Sequence, residues 1–387
     1  MPENWVFEET MREAAGYMSN RERGVKFPEE QLAEVQNIVF NGKYHDQRLA
    51  PHRRDFMLKE AMTTSDFPLL FADVLDRQLL ATYKAVESAW KPFTKMSTVN
   101  KIDVDAKRFS IYGSDQYLER VGEKGEYLAS KLDELLYTIQ VNKRGRQFDI
   151  SWETLINDDL GALRDIPERY ARAAERTEHR IMSALYTSDV GAHVEGAGGA
   201  LYSLGINCNI AASADCPLTI ANLEHGVQTM NQFTDIGGEP IMATPKYLVV
   251  CPALEMTARA ILTSAVYQTT TVATVPFPTA NVISTVGLQL IVDKYLPIVN
   301  AGAADQDTQW YLFSSPSDIA ALEAAHLSGH ENPEIAMKMS DKVSVGGGPI
   351  SPFDGDFATD NVFYRIRHVF GGAKMDWRGT FMGGYSI

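Results

Sequence analysis

Tyr137, Ile139 and Val141 alternate with Thr138, Gln140 and Asn142, and after a break at Lys143-Arg144-Gly145-Arg146 the residues Phe148 and Ile150 resume the same spacing. Period two is the mark of a half-buried strand. Upstream, Arg108 to Tyr112 offers a pairing partner, and Gly122 and Gly125 among the charges Glu119, Arg120, Glu123 and Lys124 suit an exposed far end. The pattern predicts an extended antiparallel hairpin over residues 101–151. A two-stranded ribbon is marginal in water by itself, so this arm must rest on its own body or on a neighbouring copy.

A long helix is predicted next. Asp165 is placed to cap it, Pro167 falls where a first turn tolerates proline, and Glu168 stands three residues after the cap. Ile166, Tyr170, Ala173, Ala174, Ile181 and Leu185 then recur at helical spacing as far as Thr187, a span of roughly 35 Å at about 1.5 Å per residue. Arg169, Arg172, Arg176 and Arg180 interleave with Glu168, Glu175 and Glu178. The plain reading is a solvated face held by pairs four residues apart; the functional ones are an ion-pair seam between subunits or a surface facing DNA. Lys143, Arg144 and Arg146 carry the same choice between turn residues and contacts.

Elsewhere the periodicity alternates between helix and strand. Pro28 opens a helix with Leu32, Val35 and Val39 inward, stopped by Asn41-Gly42. Met62 to Asp66 reads as a linker into a stripe of Leu70, Phe71, Val74 and Leu75, which Lys91-Pro92 ends. Gly191 to Ala200 is a glycine-rich loop without a phosphate-cradle pattern. From Thr219 a helix through Leu223, Val227 and Met230 precedes the apolar strand Pro245 to Pro252, a helix from Ala253 to Leu262, a buried strand Gly287 to Val292 and another at Trp310 to Phe313. Ser317 or Asp318 is expected to cap a short helix through Leu322. Val362 to Phe370 and Met375 to Gly379, separated by Gly371-Gly372, are expected to pair as closing strands.

Length and charge narrow the classes. At 387 residues two cores with extensions are expected. Fifty acidic against 36 basic residues give a formal charge of −14, which disfavours tight gripping of nucleic acid. Cys208, Cys216 and Cys251 lack CxxC spacing, arguing against a disulfide framework or structural zinc. The first residues lack the basic start and apolar core of a signal peptide, and Asp293 and Lys294 interrupt the best late apolar run, so a soluble, non-secreted protein without a membrane span is expected.

Candidate chemistry is thin. His326 and His330 stand four apart with Glu331 beside them, but Gly329 weakens a helix there and the glutamate is not within the pair. Cys251 sits in an apolar strand, where a small core residue is expected. Asp354, Asp356 and Asp360 lack the ligand order of a calcium loop. No enzyme activity, catalytic residue, metal or cofactor is expected.

Ala61 to Tyr83 as an arm, Tyr137 to Trp152 as the return of an extended loop, Asp165 to Leu185 as a spine, Pro245 to Leu262 with Gly287 to Leu312 as a mixed domain, and Phe363 to Gly379 as returning strands form a series. In this order it resembles the major capsid proteins of tailed bacteriophages, of α+β class and Johnson fold, with a texture similar to Mu-like major head subunits. The resemblance implies an N-terminal helical extension over 1–60, an N-arm over 61–100, the extended loop over 101–151, a peripheral domain over 152–218 with its return at 341–387, and an axial domain over 219–340. It does not cover the first 60 or so residues, and no lysine and asparagine pair stands out for crosslinking.

The resemblance further implies a subunit that assembles with itself into pentamers and hexamers of an icosahedral head around double-stranded DNA. Its partners would be a portal and decoration or scaffolding proteins, with weak non-specific contact to the packaged DNA and none to a membrane. Its place would be the virion, after assembly in the host cytoplasm. Arg169, Arg172, Arg176, Arg180, Glu119, Arg120, Glu123, Lys124, Lys143, Arg144 and Arg146 would serve subunit contacts. The rivals are an encapsulin-type compartment, which encloses enzymes, and a soluble enzyme of hydrolase type using Cys251 or His326 with His330.

Overall fold

The computed structural model describes residues 79–85, 88–111, 120–121, 123, 134–151, 160–193, 199–204, 209–210, 216–234, 238, 240–241, 243–270, 276–338, 340–342 and 355–385. In chain order the first elements are β1 (Lys95–Val99), β2 (Ala106–Ile111), β3 (Glu134–Ile139), β4 (Asn142–Ile150) and the helix α1 (Leu160–Tyr186). There follow α2 (Ile220–Asn231), β5 (Pro245–Val250), α3 (Glu255–Thr263), β6 (Val266–Thr270), β7 (Pro276–Ala280), α4 (Ile283–Val286), β8 (Gln289–Val292) and α5 (Leu296–Val299). The chain closes with β9 (Trp310–Ser314), β10 (Leu322–Leu327), β11 (Glu334–Met337), β12 (Val362–Lys374) and β13 (Thr380–Gly383). It is an α+β chain that divides into two compact units, one of residues 1–87, 143–177 and 329–369, the other of 88–142, 178–328 and 370–387.

The second unit is built on a four-stranded sheet in the order β13-β9-β5-β8. Alternation explains its two faces. Leu248, Val250, Trp310, Leu312 and Phe381 bury one side with Leu223 and Met230 of α2, while Tyr247, Val249, Tyr311 and Phe313 bury the other with Met182, Tyr186 and Phe93. Thr219 caps α2, its hydroxyl accepting from the Asn222 amide at 3.3 Å. β5 and β8 run parallel, which requires the crossover that α3 and α4 supply. β8 is only half buried, a departure from the fully buried strand expected, because it is the end strand of this sheet.

The first part of the predicted hairpin is present, but Phe148 and Ile150, expected to continue its return strand, lie in β4, which pairs with β12 instead. β2 and β3 pair antiparallel from Ala106↔Ile139 to Ile111↔Glu134, so Arg108 lies opposite Tyr137. Tyr137, Ile139 and Val141 are buried and Leu136 is exposed, the alternation that their spacing requires.

In the first unit β12 pairs with β11 on one side, Glu334↔Arg367 to Met337↔Tyr364, and with β4. Phe148 of β4 stacks on both Tyr170 and Tyr364, with ring centroids 5.0 and 5.1 Å apart. Leu79, Tyr83, Ala171, Ala174 and Ile366 close this core.

Several expectations are corrected. Lys143, Arg144, Gly145 and Arg146 are not a break; they lie inside β4. A Cβ on Gly145 would stand 2.4 Å from the Ile366 carbonyl oxygen, so the glycine admits a neighbouring backbone rather than a turn. Gly371 and Gly372 likewise do not separate two strands, because β12 runs through them. A Cβ on Gly371 would stand 1.9 Å from the Gln140 carbonyl oxygen, and one on Gly372 would stand 2.7 Å from Met182 Sδ. Residues 375–379 do not pair with 362–370; Trp377–Gly379 is a short 3-10 turn, and the β13 that follows pairs with β9.

The helix expected from Ser317 or Asp318 through Leu322 does not form: residues 316–318 are a turn, and Leu322 opens the strand β10, held between β1 and the end of β12. Leu, Glu and Ala favour helix locally, but two ladders to segments distant in sequence override that preference. α1 begins at Leu160, so neither Asp165 nor Pro167 starts it. Pro167 removes one backbone hydrogen bond, to Leu163, and the good helix formers Leu160, Ala162 and Leu163 carry the helix past it. Residues 1–60, the 62–66 linker, Leu70 to Leu75, Gly196 to Gly198 and Asp354 lie outside the described residues.

Candidate functional site

Arg169, Arg172, Arg176 and Arg180 are all exposed on α1. The interleaved acids divide, in part contradicting a solvated face. Glu168 accepts from Arg172 across one turn, but Glu175 and Glu178 are buried, Glu178 completely, together with His179 and Ser183. Ala173 is exposed and Ala171 buried. The inward face therefore runs through Ala171, Ala174, Glu178, Met182 and Tyr186, and the arginines are left without most of the expected partners. A polar face that points inward has no signature in a hydrophobic period.

Lys143, Arg144 and Arg146 are brought together with two cations that sequence reasoning missed, Arg365 and Arg367 of β12. These residues and Gly145 line a groove of about 270 Å³. Contacts along β4 and β12 march in opposite senses, Gly145 to Ile366 and then Asp149 to Asn361, so the pairing is antiparallel and Arg144 and Arg146 stand alongside Arg367 and Arg365. Arg367 donates to Glu334 at 2.7 Å, and Glu334 also lies 2.8 Å from His330 Nδ1. Among the described residues Arg144, Arg146 and Arg365 have no carboxylate partner. The signal that could have found Arg365 and Arg367 was their own alternation with Tyr364, Ile366 and His368, which are buried.

A second hollow of about 390 Å³ adjoins these cations, lined by Lys143, Arg144, Arg146 and by Tyr170, Ala173 and Ile366. It offers apolar wall beside positive charge. Of the hairpin's far end, Arg120 and Glu123 are exposed, while Glu119 and Lys124 lie outside the described residues.

The other unit holds a buried polar centre. Asp293, only an interruption of an apolar run in the sequence, is 1% exposed. Its Oδ2 accepts from the hydroxyls of Ser183, at 2.5 Å, and Tyr186. Its Oδ1 accepts from the Tyr295 amide at 2.8 Å and lies 2.9 Å from His179 Nε2. Burial pushes this carboxyl up, but His179, Ser183 and Tyr186 outweigh it and hold it below the usual carboxylate value.

Cys251 is fully buried, donates from Sγ to the Asp307 carbonyl oxygen at 3.0 Å, and has its thiol pushed up by burial, the reverse of an activated nucleophile. His326 lies in β10 and His330 beyond it, so the two do not share a helix face. Asp356 and Asp360 pair with Lys338 and Lys342. Among the described residues no helix is long and apolar enough to cross a membrane.

Over residues 136–382, well beyond half of its length, the chain matches the family model described as phage capsid protein. A search of curated proteins finds no match. Among solved structures it is similar to a chain of Gordonia phage Cozz, at 14% identity over 77% of this chain and 86% of that one, with a TM-score of 0.43. It is also similar to the capsid of a native GTA particle, at 12% identity over 78% and 92% with a TM-score of 0.43. A third likeness is to an encapsulin complex from Synechococcus elongatus, at 11% identity over 78% and 88% with a TM-score of 0.41.

Proposed function

The chain belongs to the phage capsid protein family, and on that premise we propose that it closes into the icosahedral head of a tailed phage, with pentamers and hexamers of identical copies as building units. It is a structural protein of the virion, and a capsid is made by self-association. The single observation that carries the proposal is the family match across residues 136–382.

In this reading residues 219–340 meet around the five-fold and six-fold centres, residues 152–218 and 341–387 form the capsomer edges, and the hairpin lies on a neighbouring copy. Arg169, Arg172, Arg176 and Arg180, the cations Lys143, Arg144 and Arg146, and Glu119, Arg120, Glu123 and Lys124 serve those contacts. The head is assembled in the host cytoplasm with a portal and with scaffolding or decoration proteins, and it encloses double-stranded DNA. The formal charge of −14 supports weak contact with that DNA, because each phosphate held by the wall would resist packaging and release.

Negative-stain microscopy and light scattering of the purified protein test this. Closed shells of the purified protein are expected, and particles taken from phage-infected cells should hold DNA that nuclease does not digest. Monomers or dimers under every assembly condition, or shells filled with a protein cargo instead of DNA, would overturn it.

A further inference from the structure

Gly145 admits β12 against β4, since a Cβ there would stand 2.4 Å from the Ile366 carbonyl oxygen. The neighbours of these two residues along their strands are Arg144 and Arg146 on one side, Arg365 and Arg367 on the other, and all four line one groove of about 270 Å³. Like charges across a strand pair repel, yet within the groove only Arg367 is answered by a carboxylate, that of Glu334, among the described residues. The positive surface continues past the groove. Lys143 joins it in the adjoining hollow, whose wall includes Ala173 of α1. Arg169 and Arg176 stand four residues before and three after Ala173, on the same helix face, and both are exposed. No acidic residue lines either hollow.

Cations carried on β4, β12 and α1 with no acid among the lining residues match a ligand whose negative charge repeats without interruption. A DNA strand is such a ligand, with one phosphate for about every 3.4 Å of axis. The planar fork of arginine meets phosphate oxygens two at a time, and Tyr170 and Ala173 offer apolar wall to the sugars between phosphates. The rest of a chain of formal charge −14 repels DNA, so the contact is confined to this surface and stays weak enough for packaging and release.

We propose that Arg144, Arg146, Arg365 and Arg367 bind backbone phosphates of double-stranded DNA without regard to sequence. This rests on the capsid reading and deepens it, since it names where the protein touches the DNA it encloses and gives Arg144 and Arg146 a partner besides a neighbouring subunit. A phosphate that settles among the guanidiniums relieves their mutual repulsion and sheds its condensed counterions. Four such contacts contribute about −3.6 to the slope of log K against log salt.

The test is fluorescence anisotropy of a short labelled duplex of mixed sequence, titrated with purified full-length protein between about 50 and 200 mM chloride salt. Arg144→Gln with Arg365→Gln removes two of the four contacts and should make the slope shallower by about 1.8, so that across this range the variant loses roughly tenfold less affinity than wild type. Arg144→Lys with Arg365→Lys keeps the charge and should keep the slope. Lys246→Gln with Lys294→Gln takes the same charge from exposed positions outside the groove and should leave the slope of wild type. An unchanged slope in the first variant overturns the proposal, as does an equal change in the Lys246 and Lys294 variant, which would make the binding a matter of net charge. A slope lost in the lysine-substituted variant overturns it as well, by showing a packing defect. Inorganic phosphate should displace the duplex no better than chloride at equal ionic strength; stronger displacement would give the groove to the free ion and sink the polymer. Binding is read on the protein whether or not it has closed into shells, so failure to form shells counts against the capsid reading alone.

Discussion

His179 Nε2 lies 2.9 Å from Asp293 Oδ1, and through this contact the C-terminal half of α1 is fastened to the residue that follows β8. Asp293 also takes the hydroxyls of Ser183 and Tyr186 and the amide of Tyr295. Replacing Asp293→Asn leaves a buried histidine and two hydroxyls facing a group that is neutral and partly a donor. A loss of about 3 kcal/mol is expected, as for breaking a buried pair, read as a lower urea midpoint with unchanged slope; an unchanged midpoint would remove Asp293 from the framework.

The same carboxyl sets a pH dependence. Its folded-state value is depressed, so its contribution is present above the unfolded value near 3.9 and is lost as pH falls through the folded one. Stability of the wild type should therefore drop more steeply than that of Asp293→Asn below about pH 5. Parallel urea titrations at stepped pH decide this, and coincident curves would count against it.

Gly145→Ala and Gly371→Ala should each destabilise. The new methyl carbon would stand 2.4 Å from the Ile366 oxygen in one case and 1.9 Å from the Gln140 oxygen in the other, and backbone cannot yield as a side-chain tip can. Overpacking of this kind costs about 1–3 kcal/mol. Gly302→Ala, at positive φ with nothing within 4 Å, isolates strain from crowding and should cost about 1 kcal/mol. Thermal melts of the three variants give the comparison.

Reversing Arg172→Glu with Arg176→Glu should impair shell formation more than subunit folding, since both side chains are exposed and only Arg172 has a carboxylate partner, Glu168, among the described residues. Shell yield by sedimentation beside a melting curve reads the two effects separately. Normal assembly would return the stripe to a solvated face.

Replacing residues 119–131 by a short Gly/Ser bridge should leave β2 and β3 paired and the subunit folded, yet give particles that fail to close or that fall apart on mild heating. Heat-stable particles from the deletion variant would make the far end of the hairpin dispensable.

Periodicity carried the elements whose partners are implied by their own pattern. Tyr137, Ile139 and Val141 announced the first part of the hairpin, Leu223, Val227 and Met230 announced α2, and the run at Pro245 to Val250 announced the central strand, because alternation, helical spacing and apolar runs are local physics. The order of these elements was enough to suggest the capsid family. What local physics could not show was proximity. Gly145, Gly371 and Gly372 look like turn residues, and only the approach of another backbone or of Met182 makes them strand residues. Ser317 to Leu322 reads as a short helix, and Leu322 instead opens a strand because β1 and β12 take it up. Glu178 read as part of a solvated face and Asp293 as a mere interruption of an apolar run, and both are interior because burial depends on which surfaces meet, not on the charge of one residue. The arginines of β4 and β12 are more than two hundred residues apart in the chain; the sequence alone settled their charge and their alternation, and the tertiary pairing of two strands alone set them side by side, since a ladder joins segments by backbone geometry that leaves no mark on either.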